Sequence, residues 1–440
     1  MELPSSSRSL KDPWKTLPEA PATPFVLARN DTSPPTFRSS KFRSSASLAQ
    51  SYVAAFDSSS FFPSPSCVPA SRLSKRFASL SNSNTNRTIY LALNLIDAEA
   101  ILPNFINEIH KVVAFMGGHR FYFSVWENGS KDRTPKLLML LEKTLIDLGV
   151  SYKFIVHGSS KPPNKEGSRR IVELARVRND ALEELYNGVA AAKMGIKAFD
   201  MVLFMNDIIW CASDMLEIIN EHMHQGADFT CATDWGGRVV YDRWVARTIN
   251  GHPFYTQAHL LDYFNDRPWG HDGPMPPYPE PLLDDPSSRE LFINLKPLQV
   301  FSCWNGAVVM NPKAFVQGNP LDNIHEVKPV RFRAAKNDVS EVTEKASECF
   351  LVCVDFWKRG LGKIMLVPRA SVGYDLRQYN EVRQDGRRTS KHPVGIEVKT
   401  TNRDNDKFLI QWRTNPPKEV AYHDHAWWHE KERWGPWDEA

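Results

Sequence analysis

The chain lacks a block of like charge. Its 54 Lys and Arg nearly match its 51 Asp and Glu, leaving a formal net charge of +3 over 440 residues. That balance gives no electrostatic footprint for nucleic acid, and the aromatics sit in apolar stretches rather than between Lys and Arg. The six cysteines, at 67, 211, 231, 303, 349 and 353, include no Cys-x-x-Cys pair, which argues against a zinc site. Cys349 and Cys353 stand one helical turn apart and read as buried thiols on one helix face. Disulfides are open to the chain in a lumenal compartment, but spacing does not pair them. No apolar run approaches the ~20 residues of a membrane-spanning helix. No apolar h-region follows Met1, so no signal peptide or anchor is visible in this sequence, and membrane association stays open. No fixed-period repeat exists, which sets a solenoid aside.

Three regions follow from composition. Residues 1–85 are rich in Ser, Pro and Asn, bury little apolar surface and are expected to be disordered. Residues 86–375 have the character of a folded domain. Residues 376–440 turn polar and end in an aromatic- and His-rich tail, the C-terminal extension. Within the middle region the pattern predicts a strand over 89–93. A helical region to 115 follows, capped by Asp97, restarted at Pro103 and ended by Gly117 and Gly118. A strand over 121–126 comes next. The helix after it has Thr134 as its cap and Pro135 at its first position, and Gly149 stops it. A strand over 152–156, a helix over 171–186 and a strand opening at 201 complete the series. Alternating strand and helix signals an α/β fold with a parallel sheet and right-handed crossovers. The proline-rich stretch 268–286 reads as a lid, a binding loop or a disordered segment.

Residues 199–210, FDMVLFMNDIIW, form an apolar run that delivers Asn206 and Asp207 and then resumes. Such a run suits a strand buried on both faces, and ligands bind beyond the carboxyl ends of such strands. A carboxylate at Asp207 can hold a hard divalent metal against a phosphate; the plainer alternative is a turn-capping Asp. In ENGSKDRT, Glu127, Asn128 and Gly129 open a polar pocket in which Glu127 accepts hydrogen bonds from a nucleoside. The alternative is a strand-to-helix turn capped by Asp132 and Thr134. The sequon Asn128-Gly129-Ser130 is discounted as a glycosylation site because it would lie in the cleft. Arg176 and Arg178 cannot share a helix face. Arg178 is the candidate to face the cleft and pair with a diphosphate, against a solvated surface as the alternative.

Asp234 in CATDWGG is a candidate for sugar or acceptor hydroxyls, or a turn Asp. Tyr241 to Trp244 combine aromatics, an acid and a base, and suit either sugar stacking or the core. Asp242 and Arg247 are placed to pair with each other. Asn305 in CWNG follows an apolar strand beginning at Leu298 and is a candidate hydrogen-bonding residue for the sugar. Glu348 sits at an apparent helix start and is the candidate carboxylate near the anomeric carbon, or a helix-start acid. His423 and His425 carry metal-ligating side chains, with a structural role favoured.

The order of these pieces resembles a nucleotide-sugar transferase. In the processive-synthase type of GT-A glycosyltransferase the corresponding strand ends in Asp-x-Asp, whereas here it ends in Asn206-Asp207 with one carboxylate. Seven segments strengthen the resemblance: ENGSKDRT, LARVRNDALEELY, FDMVLFMNDI, ADFTCATDWGG, YDRWVAR, SCWNGAVVMN and ASECFLVCVDFWKRG. In this order, across residues 88–375, they resemble the fungal capsule-associated α-1,3-mannosyltransferase family, glycosyltransferase family 69. The resemblance implies a GT-A-like fold with a single mostly parallel sheet flanked by helices. It implies GDP-mannose as donor, a divalent cation such as Mn2+, a mannose-containing glycan acceptor and retention of configuration. It also implies capsule or cell-wall polysaccharide synthesis in the Golgi. In these terms Asp207 binds the metal, and Glu348 and Asp234 are catalytic. Glu127, Asn128, Gly129, Arg178, Asn206 and Asn305 bind the donor. The rivals are a transferase for another nucleotide sugar and a non-catalytic glycan-binding or assembly homologue.

Overall fold

The computed structural model describes residues 25–28, 67, 76–157, 170–236, 239–255, 281–282, 285–316, 328–335, 346–382, 408–422 and 433–439. His423, His425 and most of the proline-rich stretch lie outside the described residues.

One sheet organises the chain. Its strands are β1 (Phe25–Ala28), β2 (Ile89–Leu95), β3 (Phe121–Glu127), β4 (Ser151–Val156), β5 (Met201–Met205), β6 (Phe229–Gly236), β7 (Val239–Val240), β8 (Arg247–Thr248), β9 (Leu298–Ser302), β10 (Ala307–Met310) and β11 (Ile364–Gly373). The order is β1-β4-β3-β2-β5-β10-β6-β11-β9-β8, with β7 paired to β6. Strands β4, β3, β2 and β5 are parallel neighbours, with Ile89 opposite both Phe121 and Met201. Strand β10 runs antiparallel to both β5 and β6, and β6 is parallel to β11. The result is a central sheet in which β4, β3, β2, β5, β6 and β11 run one way, with β10 reversed between β5 and β6 and with β1, β7 and β9 also antiparallel to the strands they pair with. This is the α/β architecture that the family resemblance implied.

The unbroken apolar strands follow from burial on both faces. Along β2 and β5, Tyr90, Ala92, Val202 and Phe204 enter one core. Their neighbours Ile89, Leu91, Leu93, Leu203 and Met205 enter the other. Helices α1 (Leu102–Met116), α2 (Thr134–Asp147) and, after α3 (Arg170–Ala181), α4 (Ala212–Gln225) cover the second core. Helix α3 and α5 (Glu348–Lys358) cover the first. Truncating Leu203 to Ala would remove about 2–5 kcal/mol of such packing.

Several local expectations are corrected. Asp97 caps no helix: it sits at φ 47°, and its Oδ1 accepts from the Lys131 amide at 2.7 Å. Helix α1 starts at Leu102 with Pro103 in its first turn. Thr134 is the first residue of α2 rather than its cap, and its Oγ1 accepts from the Ala98 amide at 2.8 Å. The helix expected over 171–186 divides at Leu182, between α3 and the short helix Glu183–Tyr186. Arg247 does not pair with Asp242. It donates instead to the carbonyls of Arg243, Ala246 and Ala421.

The ordered chain reaches beyond 86–375 in both directions. Upstream, Phe77 and Leu80 are core residues, and Arg76 donates through two nitrogens to Glu217, both at 2.6 Å. Downstream, two buried glutamines bracket residues 408–413 as a sheet edge would. Gln225 donates to the Phe408 carbonyl and accepts from the Ile410 amide; Gln299 does the same with the Arg413 carbonyl and amide. Disulfides join Cys67 to Cys211 and Cys231 to Cys303, while Cys349 and Cys353 are free, buried and on α5. Among the described residues no helix is long and apolar enough to cross a membrane.

Candidate active site

The carboxyl end of β5 is tied down on two sides. The Asn206 amide donates to the Gly306 carbonyl at 2.8 Å. Two residues after Asp207, Ile209 exchanges both backbone hydrogen bonds with Gly373, at 2.7 and 3.1 Å. Asp207 is therefore carried on a short, pinned turn. Burial raises its carboxyl above the usual range, with Arg178 partly offsetting this. Among the described residues, no other residue donates a hydrogen bond to this carboxylate.

Asn206, where a second acid was looked for, has a different job. Its Oδ1 accepts from Arg178 Nη1 at 3.1 Å and from Trp304 Nε1 at 3.2 Å. Its amide nitrogen donates to the Tyr374 hydroxyl at 3.5 Å. An amide provides the acceptor and the donor that this position uses; an ionised carboxylate provides only acceptors. Arg178 is buried, and its Nε donates to Glu348 Oε1 at 2.9 Å. Glu348 opens α5, behind a Ser347 side chain that caps the helix. Ser347 also donates to Glu348 Oε2 at 3.3 Å, so both carboxylate oxygens are engaged. Arg178, Asn206, Trp304 and Glu348 thus form one network from four distant segments.

Asn305 organises a second group. It and Gly306 have φ values of 55° and 77°, consecutive left-handed residues for which Asn-Gly is well suited. A Cβ on Gly306 would lie 2.8 Å from Ile208 and 3.3 Å from the Tyr374 hydroxyl, so the turn needs glycine twice over. The Asn305 side chain donates to Asp234 Oδ1 at 2.8 Å, and its backbone amide donates to Asp242 Oδ2 at 3.2 Å. Asp234 is fully buried. Burial, then the nearby Asp242, raises its carboxyl well above the ordinary range. Asp242 is pushed up to about 6, chiefly by burial. The two groups approach each other at Tyr374, whose hydroxyl meets Asn206 and whose ionisation is suppressed by burial and by Asp234 and Asp242.

The third group lies at the ends of β2 and β3. Glu127 is buried, and its carboxylate accepts from the Ser130 and His157 amides. These bonds brace the loop holding Asn128 and Gly129, the latter at φ 86°. Among the described residues Asn128 Oδ1 is buried without a hydrogen-bond partner. So are Asn94 Oδ1 and Trp126 Nε1, two residues opposite each other in the β2–β3 register. Sequence reasoning missed both. The signal was a polar Asn inside the apolar strand IYLALNL, one place before its end. Arg176 lies over Trp126 at 5.9 Å and pairs with Glu173 and Asp180 on its own helix. Among the described residues no hydrogen bond or ion pair joins this group to Asp207 or Asp234.

A family model described as Cryptococcal mannosyltransferase 1 matches residues 88–355. The alpha-1,3-mannosyltransferase CMT1 of Cryptococcus neoformans var. neoformans is 32% identical over 356 residues, spanning 79% of this chain and 70% of that protein. Among solved structures, S. aureus TarS overlays with a TM-score of 0.33 at 12% identity, over 65% of this chain and 36% of its own. The glucosyl-3-phosphoglycerate synthase of Mycobacterium tuberculosis, in complex with Mg2+ and UDP, gives 0.32 at 15% identity, over 68% of this chain and 73% of that one.

Proposed function

The chain belongs to the cryptococcal mannosyltransferase 1 family, and from that membership we propose that it transfers mannose from GDP-mannose to a mannose-containing glycan, forming an α-1,3 linkage with retention. The observation that carries the reading is Asp207. It is a desolvated carboxylate on a pinned turn at the end of the central strand, and among the described residues no other residue donates to it. The residues suit a divalent ion such as Mn2+. One carboxylate, completed by substrate phosphates and water, is a common way to hold a small hard cation. Asn206 is committed elsewhere and is not counted as a ligand. When bound, the ion neutralises charge on the donor's diphosphate.

The protein's own groups divide the remaining work. Nε and Nη1 of Arg178 are held by Glu348 and Asn206, and no described residue takes its Nη2 edge. That edge is assigned to the diphosphate, where charge develops as the bond to mannose breaks. Two unpartnered amide oxygens, on Asn94 and Asn128, suit the N1–H and N2–H donors of guanine. This favours a guanosine donor. Glu127 and Gly129 hold that loop in shape. Asp234 and Asn305 face the mannose.

Glu348 has both oxygens engaged, so its role is to fix Arg178 beside the leaving group. This favours attack from the face the leaving group departs, with the phosphate taking the acceptor's proton, over a covalent intermediate on Glu348. Two disulfides fit maturation in an oxidising lumen, in keeping with a Golgi location.

The test is purified protein with GDP-mannose, Mn2+ and a mannoside acceptor. GDP release coupled to a lengthened glycan supports the reading, as does its loss in a folded Asp207→Ala variant. Transfer only from another nucleotide sugar would move the donor assignment. Glycan binding without transfer from any donor would replace the enzyme by a binding module.

A further inference from the structure

We propose that Asp242 works as one unit with Asp234, the two carboxyl groups and the Asn305 amide between them forming a pair that grips a hydroxyl of the transferred sugar. The inference rests on the transferase reading above, and it assigns a role to Asp242 that the sequence motifs left open.

The geometry is a bridge. Asn305 donates its side-chain amide to Asp234 and its backbone amide to Asp242. The Asp242 amide in turn donates to Asp234 Oδ1 at 3.2 Å. Asp234 Oδ1 therefore receives two bonds, while among the described residues nothing donates to Oδ2 of the same fully buried side chain. A buried acceptor left unpaired is destabilising, and a left-handed Asn adds strain. Both features persist beside the network that holds Arg178. A sugar hydroxyl donating to Asp234 Oδ2 removes the unpaired acceptor.

Two adjacent carboxylates in a buried site do not both ionise easily. Glu348 adds like charge and Arg178 opposite charge at Asp242, Arg243 and Tyr374 lie beside Asp234, and the thiols of Cys349 and Cys353 stay neutral. The pair therefore retains a proton into the weakly acidic range. One protonated and one ionised carboxyl can donate to one hydroxyl oxygen and accept from another.

The sign of the pH effect follows. Both acids have folded-state values above the unfolded one near 4, and Asp242 reaches about 6. Their favourable contribution is complete below about pH 4 and is lost as pH rises through the folded values.

The experiment compares the unsubstituted protein with Asp242→Asn, and with Asp234→Asn in case the first fails to fold. Melting temperature is followed from pH 4 to 7, and GDP and GDP-mannose affinities are measured by calorimetry. The expected result is a variant whose stability relative to the parent rises with pH between 4 and 6. Its GDP-mannose affinity falls about 10- to 100-fold while its GDP affinity is unchanged. A stability difference independent of pH, or equal losses for GDP and GDP-mannose, overturns the pair. Binding of neither ligand by the unsubstituted protein overturns the transferase reading, and the sugar role with it.

Discussion

Arg178 lies against Trp304, its guanidinium carbon 4.5 Å from the ring centroid, while its Nε holds Glu348 and its Nη1 holds Asn206. Trp304 also donates to Asn206 Oδ1, so the indole and the guanidinium converge on one amide oxygen. A planar fork can stack and donate in two directions; an ammonium is a point charge that cannot.

Arg178→Lys is therefore expected to behave as a disruptive change although it conserves charge. It leaves either Glu348 or Asn206 without its partner and costs about 1–3 kcal/mol of stability. Transfer should fall by 100-fold or more, with the loss mainly in kcat. Steady-state kinetics and denaturant unfolding of the purified variant check both parts. A Lys variant within threefold of the parent would show that the fork is dispensable.

Thiol counting tests the covalent framework. Cys67 pairs with Cys211 and Cys231 with Cys303, leaving Cys349 and Cys353 free. Protein from an oxidising compartment, unfolded in denaturant, should show two reactive thiols, and six after reduction. Folded protein should show almost none, because both free thiols are buried. Reduction should also lower stability by about 2–4 kcal/mol per bridge, since each closes a long loop. Four thiols before reduction would remove one of the two bridges, and six would remove both.

Much of the sheet was legible because it is written in local patterns. The runs in β2, β3 and β5 are apolar on both faces, and each ends in the polar residues that line the site. Asp207, Arg178 and Glu348 could be picked out as candidates for the same reason: each stands at a marked place, a strand end or a helix turn. What stayed hidden depends on partners far along the chain. Asn206 looked like a missing acid until Arg178, Trp304 and Tyr374 were brought to it, across separations of 28, 98 and 168 residues. Asp242 was read as a partner for Arg247, but the Asn305 turn reaches it over 63 residues. The brackets at Gln225 and Gln299 leave no sequence signal, since any surface glutamine looks the same.

His222 gives a pH dependence away from the site. It is buried on α4, its Nδ1 lies 2.8 Å from Thr230 Oγ1, and burial lowers it to about 3. The folded state thus binds fewer protons than the unfolded state between about 3 and 6.5. Stability falls as pH drops below 6.5, by about 1.4 kcal/mol per unit from this group. His222→Gln, which retains a polar side chain near Thr230, should flatten that part of the profile. The check is the difference in unfolding free energy between the two proteins at pH 6.5 and pH 5. A difference that does not change between those values would place the acid sensitivity elsewhere.

Asn206→Asp restores the acidic pair that the strand end lacks, so a reader of the motif would expect stronger metal binding and higher activity. The structure leads to the opposite expectation. The new carboxylate keeps the bonds from Arg178 and Trp304, with the Arg178 bond strengthened by charge. It loses the donor to Tyr374 and adds a negative charge near Asp234 and Asp242, through the Tyr374 hydroxyl that all three surround. Holding Arg178 more tightly also draws its guanidinium away from a diphosphate. Activity at saturating Mn2+ should therefore fall about tenfold, with the Mn2+ concentration for half-maximal rate unchanged. Titrating Mn2+ against transfer rate in parent and variant decides it: a tighter Mn2+ response in the variant would mean that position 206 is a metal ligand after all.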